Sequence, residues 1–169
     1  MTALMTSRRK AADRKARRSA KAKRIGTKRP SLAKLKATLW DLLSPAVKAR
    51  YGSTCYSCGA PGLSGSNHHG GHMFSAGLHS LTRFDVRNLR PHCMRCNIAL
   101  RSNAAMFAAR YIEREGKEAF DAMEAASRVS KKWTRPEIEM LIAKIKLGLD
   151  HYQGYYEAMY SHKVLGEAA

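Results

Sequence analysis

The chain is short of acid. Its 169 residues hold 13 Asp and Glu against 31 Lys and Arg, a formal charge of +18. An excess of that size points to a polyanionic partner, and nucleic acid is the usual one. The sequence also has no apolar run of about 18 residues, which excludes a transmembrane helix. Its first residues are charged but lack the apolar centre of a secretory leader. No amphipathic anchor accompanies the basic charge, so a membrane-surface role is disfavoured too. A soluble cytoplasmic protein with no membrane partner is expected. Cysteine is scarce: there are four, all between positions 55 and 96. In a reducing compartment two Cys-x-x-Cys pairs read as metal ligands rather than disulfides.

Acid is scarcest at the N-terminus. Residues 1–30 carry Arg8, Arg9, Lys10, Arg14, Lys15, Arg17, Arg18, Lys21, Lys23, Arg24, Lys28 and Arg29, with Asp13 as the only acid. Self-repulsion and the lack of bulky apolar residues predict a tail disordered in isolation. Twelve cations in one arm suit phosphate contact through counterion release, without reading of sequence. A solubilising tail is the alternative.

Helical periodicity begins after the tail. Leu32, Leu35, Leu39, Leu42 and Leu43 recur at helical spacing with Trp40 beside them, within a segment 31–52. Ser44-Pro45 is expected to end or kink that helix, and Gly52 to stop the short stretch Val47 to Tyr51. Trp40 reads as core. Residues 103–128 predict helix interrupted at Gly116, with Met106, Phe107, Tyr111 and Ile112 as one apolar set and Phe120, Met123 and Ala126 as a second. Thr134-Arg-Pro-Glu137 is a capping-box pattern. From there Ile138, Ile142, Ile145, Leu149, Tyr152, Tyr156 and Met159 step by fours and threes. That heptad pattern predicts a helix over 135–161, packed on its own domain or paired across a homodimer.

The organising stretch is 53–102. Cys55-Tyr-Ser-Cys58 and Cys93-Met-Arg-Cys96 enclose 34 residues. Two such knuckles suit one tetrahedral Zn²⁺, and four thiolates leave no open position, so this ion is structural. A segment this short needs such a staple to hold a fold. Turn chemistry at Ala60-Pro61-Gly62 and Ser64-Gly65-Ser66 separates the first knuckle from a strand near 69–74. A loop over 75–85, a short strand near 86–91 and a helix from about Cys93 are expected next. His68, His69 and His72 are surplus to a four-cysteine site. A strand carrying His69 and His72, facing a helix that starts near Asn97, can surround a divalent ion and leave a second imidazole to take a proton from water. Those are the needs of metal-assisted phosphodiester hydrolysis.

Gly71-His72-Met-Phe, then Arg-Phe-Asp-Val-Arg-Asn88-Leu-Arg-Pro-His-Cys93-Met-Arg-Cys96-Asn97, resembles the zinc-bearing HNH (ββα-metal) endonucleases. It is more closely similar to the lambdoid-phage Rap/NinG recombination family. Lys34-Leu-Lys-Ala-Thr-Leu-Trp-Asp-Leu and Lys132-Trp-Thr-Arg-Pro-Glu-Ile-Glu extend the resemblance to roughly residues 32–150. It implies an α+β fold: a zinc-stapled HNH-like finger flanked by helices, mostly helical overall. It implies His72 as general base, Asn88 as the residue fixing the loop that orients it, and Asn97 as a ligand of the catalytic Mg²⁺ or Mn²⁺. Many HNH proteins carry the other ligand directly before the base, where this chain has Gly71. The Rap/NinG pattern places it three residues before, at His69; Asp85, His68 and His92 are alternatives. A ligand set without carboxylate favours Mn²⁺ over Mg²⁺. The implied activity is endonucleolytic cleavage of branched DNA, such as Holliday junctions and D-loops. A non-catalytic zinc-finger nucleic-acid-binding protein is the competing reading.

Overall fold

The computed structural model describes residues 13–15, 17 and 29–165, with side chains up to 159. The chain divides into two compact units, Met1–Ser31 and Leu32–Ala169. In the first, Asp13, Arg14, Lys15 and Arg17 are helical and exposed, and Arg29 is exposed. The other predicted tail contacts, Arg8, Arg9, Lys10, Arg18, Lys21, Lys23, Arg24 and Lys28, lie outside the described residues.

The second unit is mostly helical with one small sheet. Helix α1 (Leu32–Tyr51) buries Leu35, Leu39, Leu43 and Val47. It runs on past Pro45, where the sequence predicts an end or a kink. A proline in mid-helix costs about 3 kcal/mol locally. The buried stripe continues on both sides of it, and packing of α1 on later helices offsets that loss.

Strands β1 (His69–His72) and β2 (Leu89–His92) pair antiparallel. His69 stands opposite His92, Gly70 opposite Pro91, Gly71 opposite Arg90 and His72 opposite Leu89. Both strands are shorter than expected: Val86–Asn88 closes into a tight turn before β2, and after His72 the backbone of Met73 and Phe74 bonds to Asn88. Alternation along a strand puts Gly70, His72, Leu89 and Pro91 on one face and His69, Gly71, Arg90 and His92 on the other. The first face lies on α1: a Cβ at Gly70 would stand 2.8 Å from Ser44 Oγ. Helix α2 (Ala104–Glu115) covers the second face, with Phe107 edge-on to His92 and Tyr111 beside the Arg90 guanidinium. Arg90 is buried against the rings of Tyr51 and Tyr56 as well, and pairs with Glu115 at 2.8 Å. On α2 only Phe107 and Tyr111 are buried; Met106 and Ile112, expected to share that face, are exposed.

In place of a regular helix from Cys93, the chain makes one wide turn over Arg95–Ala99, with Leu100 N–H bonded to Arg95 O at 2.9 Å. Arg101, Ser102 and Asn103 then take positive φ values of 46°, 73° and 46°. This left-handed run folds the chain back: Ser102 O accepts from Ser57 Oγ, and Asn103 Nδ2 donates to Cys96 Sγ.

Helix α3 (Lys117–Arg128) follows Gly116 as predicted and buries Met123 and Ala126. Helix α4 (Arg135–Ile145) opens on the predicted capping box, with Thr134 N–H donating to Glu137 Oε2 at 2.8 Å. The single helix expected over 135–161 is instead two. It breaks at Gly148, whose φ of +121° no helix accommodates, and α5 (Leu149–Leu165) begins after it. The heptad residues are also taken up within the chain. Ile138, Ile145, Tyr152 and Tyr156 are buried in the main core, with Ile142, Leu149 and Met159 packed against it. The seam residues make an intrachain contact.

Among the described residues the apolar interior is in three parts. The main cluster joins α1, α4 and α5 to Leu81, Phe84, Val86 and Leu89. A second groups Tyr56, Met73, Phe107, Tyr111 and Met123. The third is Cys55, Leu63, Cys93 and Cys96.

Candidate metal and catalytic centres

The first centre is the four cysteines. Their sulfurs all lie within 4.8 Å of one another, and Cys58 Sγ to Cys93 Sγ is 3.8 Å. Four Zn–S bonds of about 2.3 Å in a tetrahedron set the sulfurs about 3.8 Å apart. Among the described residues this is the one group of three or more His, Cys, Asp or Glu donors close enough to share an ion. The knuckle is made by Gly59 N–H bonding to Cys55 O and Cys55 N–H to Ala60 O, both 2.8 Å. Tyr56 N–H to Pro91 O, also 2.8 Å, ties it to β2. Burial is the main cause that pushes the Cys96 thiol up to about 12. Four sulfurs at this spacing fit zinc, and a bound cation would favour their thiolate form.

The second cluster is built of histidines on the sheet. His72 ends β1 and its ring stacks on Trp40, centroids 5.0 Å apart and planes 17° from parallel. His72 Nε2 lies 2.9 Å from Arg83 O. A carbonyl only accepts, so Nε2 carries the proton and Nδ1 keeps a free lone pair. Burial is the main cause that lowers His72 to about 4, so the ring is neutral at pH 7. His69 Nε2 lies 2.8 Å from Ser66 O, which assigns it the same tautomer. His92 is fully buried, and its Nε2 meets Ser57 Oγ at 3.0 Å.

Asn88, also fully buried, is the clasp of this region. Its Oδ1 accepts from Phe74 N–H at 2.8 Å, and its Nδ2 donates to Phe74 O at 2.9 Å and Thr82 O at 3.0 Å. It thereby joins the segment after β1 to the loop that presents Arg83 O. From the other side, Tyr152 OH donates to Phe84 O at 2.7 Å and Tyr156 OH donates to Leu81 O.

The predicted residues fall together in part. Alternation puts His69 and His72 on opposite faces of the sheet, yet a charge on either disfavours protonation of His92, which burial already lowers to about 4. Asn97 is half-buried on the wide turn that packs against β1. Asp85 is withdrawn: its carboxylate accepts from Arg87 N–H at 2.9 Å and pairs with the Arg87 guanidinium at 2.7 Å. His68 stands one residue before β1, its C=O accepting from Lys48 Nζ. Gly71 cannot be a side-chain ligand, and nothing larger fits there, since a Cβ would lie 2.1 Å from His92 Nδ1.

Sequence reasoning missed two contributors. Trp40 reads as one more apolar residue of a helical stripe, and nothing local shows that α1 crosses under His72. Ser57 lies between the cysteines of the first pair, and nothing local shows that its hydroxyl meets His92 on β2.

A family model described as Bacteriophage Lambda NinG protein matches residues 2–152. No curated protein and no solved structure matches the chain. The matched span takes in the basic tail, α1, both cysteine pairs, the sheet with its histidines, α4 and the start of α5. The chain belongs to the family of the bacteriophage lambda NinG protein.

Proposed function

We propose that the chain is a metal-dependent endonuclease of HNH type acting on branched DNA recombination intermediates. The observation that carries this reading is the state of His72. Its Nε2–H is tied to Arg83 O, leaving Nδ1 as a proton acceptor on a ring neutral at pH 7. His72 can accept a proton from water at Nδ1 while Trp40 and the Arg83 carbonyl hold the ring in place. Asn88 keeps that carbonyl in position by clasping Phe74 and Thr82. His69 and Asn97 would hold a divalent ion, which when bound supplies positive charge to a phosphate and a leaving oxygen. The cationic excess and the twelve bases of residues 1–30 would bring the DNA backbone to the site.

The deciding experiment is cleavage of a synthetic four-way junction by the zinc-loaded chain with Mg²⁺ or Mn²⁺. Wild type cuts it, and His72→Ala loses cleavage while junction affinity stays within a few-fold. If wild type cuts no junction, D-loop or duplex with either ion, the chain is a zinc-stapled nucleic-acid-binding protein instead.

A further inference from the structure

Position 71, directly before His72, is glycine, and the sheet puts another imidazole beside it. His92 is fully buried, and its Nδ1 has no hydrogen-bond partner among the described residues. A buried nitrogen left unmatched is costly, by about 1–3 kcal/mol, so an arrangement that preserves one calls for a use. The ring lies over Gly71: its atoms Nδ1, Cγ and Cε1 would stand 2.1, 2.6 and 2.9 Å from a Cβ there. Glycine at 71 is what lets the ring lie in this place.

The other nitrogen can take a donor role. Ser57 Oγ lies 3.0 Å from His92 Nε2, and 3.5 Å from Ser102 O, an acceptor for its proton. The contact with Ser57 admits the tautomer with the proton on Nε2 and a lone pair on Nδ1. A metal-binding histidine commonly has this form, with its second nitrogen anchored by a neighbouring acceptor. His69 stands directly opposite His92 in the sheet register, on the same face, and is protonated on Nε2 by its bond to Ser66 O. The turn bearing Asn97 packs against the same strand. Carboxylate is not on offer. Asp85 is the only acid between residues 53 and 102, and Arg87 holds it.

Resting on the nuclease reading above, we propose that His92 Nδ1 is a ligand of the catalytic ion, supplied from β2 in place of a side chain at position 71. With His69 Nδ1 and the Asn97 amide oxygen it makes a nitrogen-rich site. Such a site takes Mn²⁺, Co²⁺ or Ni²⁺ in preference to Mg²⁺, which binds oxygen donors.

The test uses the full chain with its zinc in place and its histidines labelled with ¹⁵N. Mn²⁺ is titrated in and followed by electron paramagnetic resonance, and pulsed measurements count the imidazole nitrogens coordinated to the bound ion. Wild type shows two. His92→Gln shows one and binds Mn²⁺ about tenfold or more weakly, with one zinc per chain retained. A single coordinated imidazole in wild type overturns the proposal, as does a His92→Gln affinity within about twofold of wild type. Should His92→Gln fail to fold, the wild-type count alone decides. One imidazole together with continued junction cleavage removes His92 and leaves the nuclease standing. No Mn²⁺, Co²⁺ or Ni²⁺ bound to wild type removes the nitrogen-rich site, and absence of cleavage with Mg²⁺ as well removes the nuclease.

Discussion

Trp40 and His72 lie face to face, centroids 5.0 Å apart with planes 17° from parallel, although 32 positions of chain separate them. The contact joins α1 to the end of β1. Its expected consequence is kinetic. Trp40→Ala frees one face of the imidazole and lowers the single-turnover cleavage rate by about tenfold or more, while junction affinity holds. Trp40→Phe, which keeps a flat ring, restores most of the rate. Equal rates for the two variants would mean that the stack does not position His72.

Asn88 makes three hydrogen bonds from a fully buried amide. Asn88→Ala removes the partners of the Phe74 N–H and C=O, while Thr82 O keeps its bond from Asp85 N–H, and costs about 2–3 kcal/mol in chemical denaturation. Asn88→Asp is worse, since a carboxylate would face the two carbonyls that the Nδ2 group now serves. A small loss in both would show that water replaces the amide there.

Removing zinc should unfold part of the molecule. The cysteines form a separate apolar cluster, while both tryptophans belong to the main core of α1, α4 and α5. A chelator, or Cys93→Ser, should abolish amide-exchange protection around residues 53–63 and 93–103 and leave most of the helical circular dichroism. Cooperative loss of all helix would show that the three clusters fold as one.

Acid should destabilise the fold through His72. Burial holds its folded-state value near 4, below the 6.5 of a free imidazole. Above 6.5 the ring is neutral in both states. Between 6.5 and 4 the unfolded chain takes a proton that the folded chain refuses, so stability falls as pH drops. One such group gives at most about 1.4 kcal/mol per pH unit, and less with solvent screening. His72→Gln should show a shallower fall between pH 6.5 and 5 in the zinc-loaded chain, measured without other divalent ions. Parallel slopes would contradict the burial.

Deleting residues 1–30 should weaken binding to duplex and branched DNA alike and flatten the salt dependence, since each phosphate contact adds about 0.9 to the logarithmic slope. An unchanged slope would make the twelve bases spectators.

Several features arise from local chemistry and were legible in the sequence. Four thiols at Cys-x-x-Cys spacing are a donor set for zinc whatever surrounds them. The capping box at Thr134 and Glu137 needs one helical turn to form. The charge excess needs no fold at all. Pro45 and the 135–161 heptad were misleading because each is local information that packing overrode. The buried stripe of α1 continues through the proline, and Gly148 turns one apparent seam into two helices that pack on their own chain.

What only the tertiary structure decided is the histidine cluster. Strand alternation assigns His69 and Gly71 to one face, but the register of β1 against β2 is what sets His92 opposite His69 and over Gly71. The tautomers of His69, His72 and His92 depend on Ser66, Arg83 and Ser57, and no spacing rule pairs these residues with them. The sequence by itself determined which donors exist. Their lone-pair directions come from hydrogen bonds to groups up to 35 positions away, and only the folded chain brings those groups together.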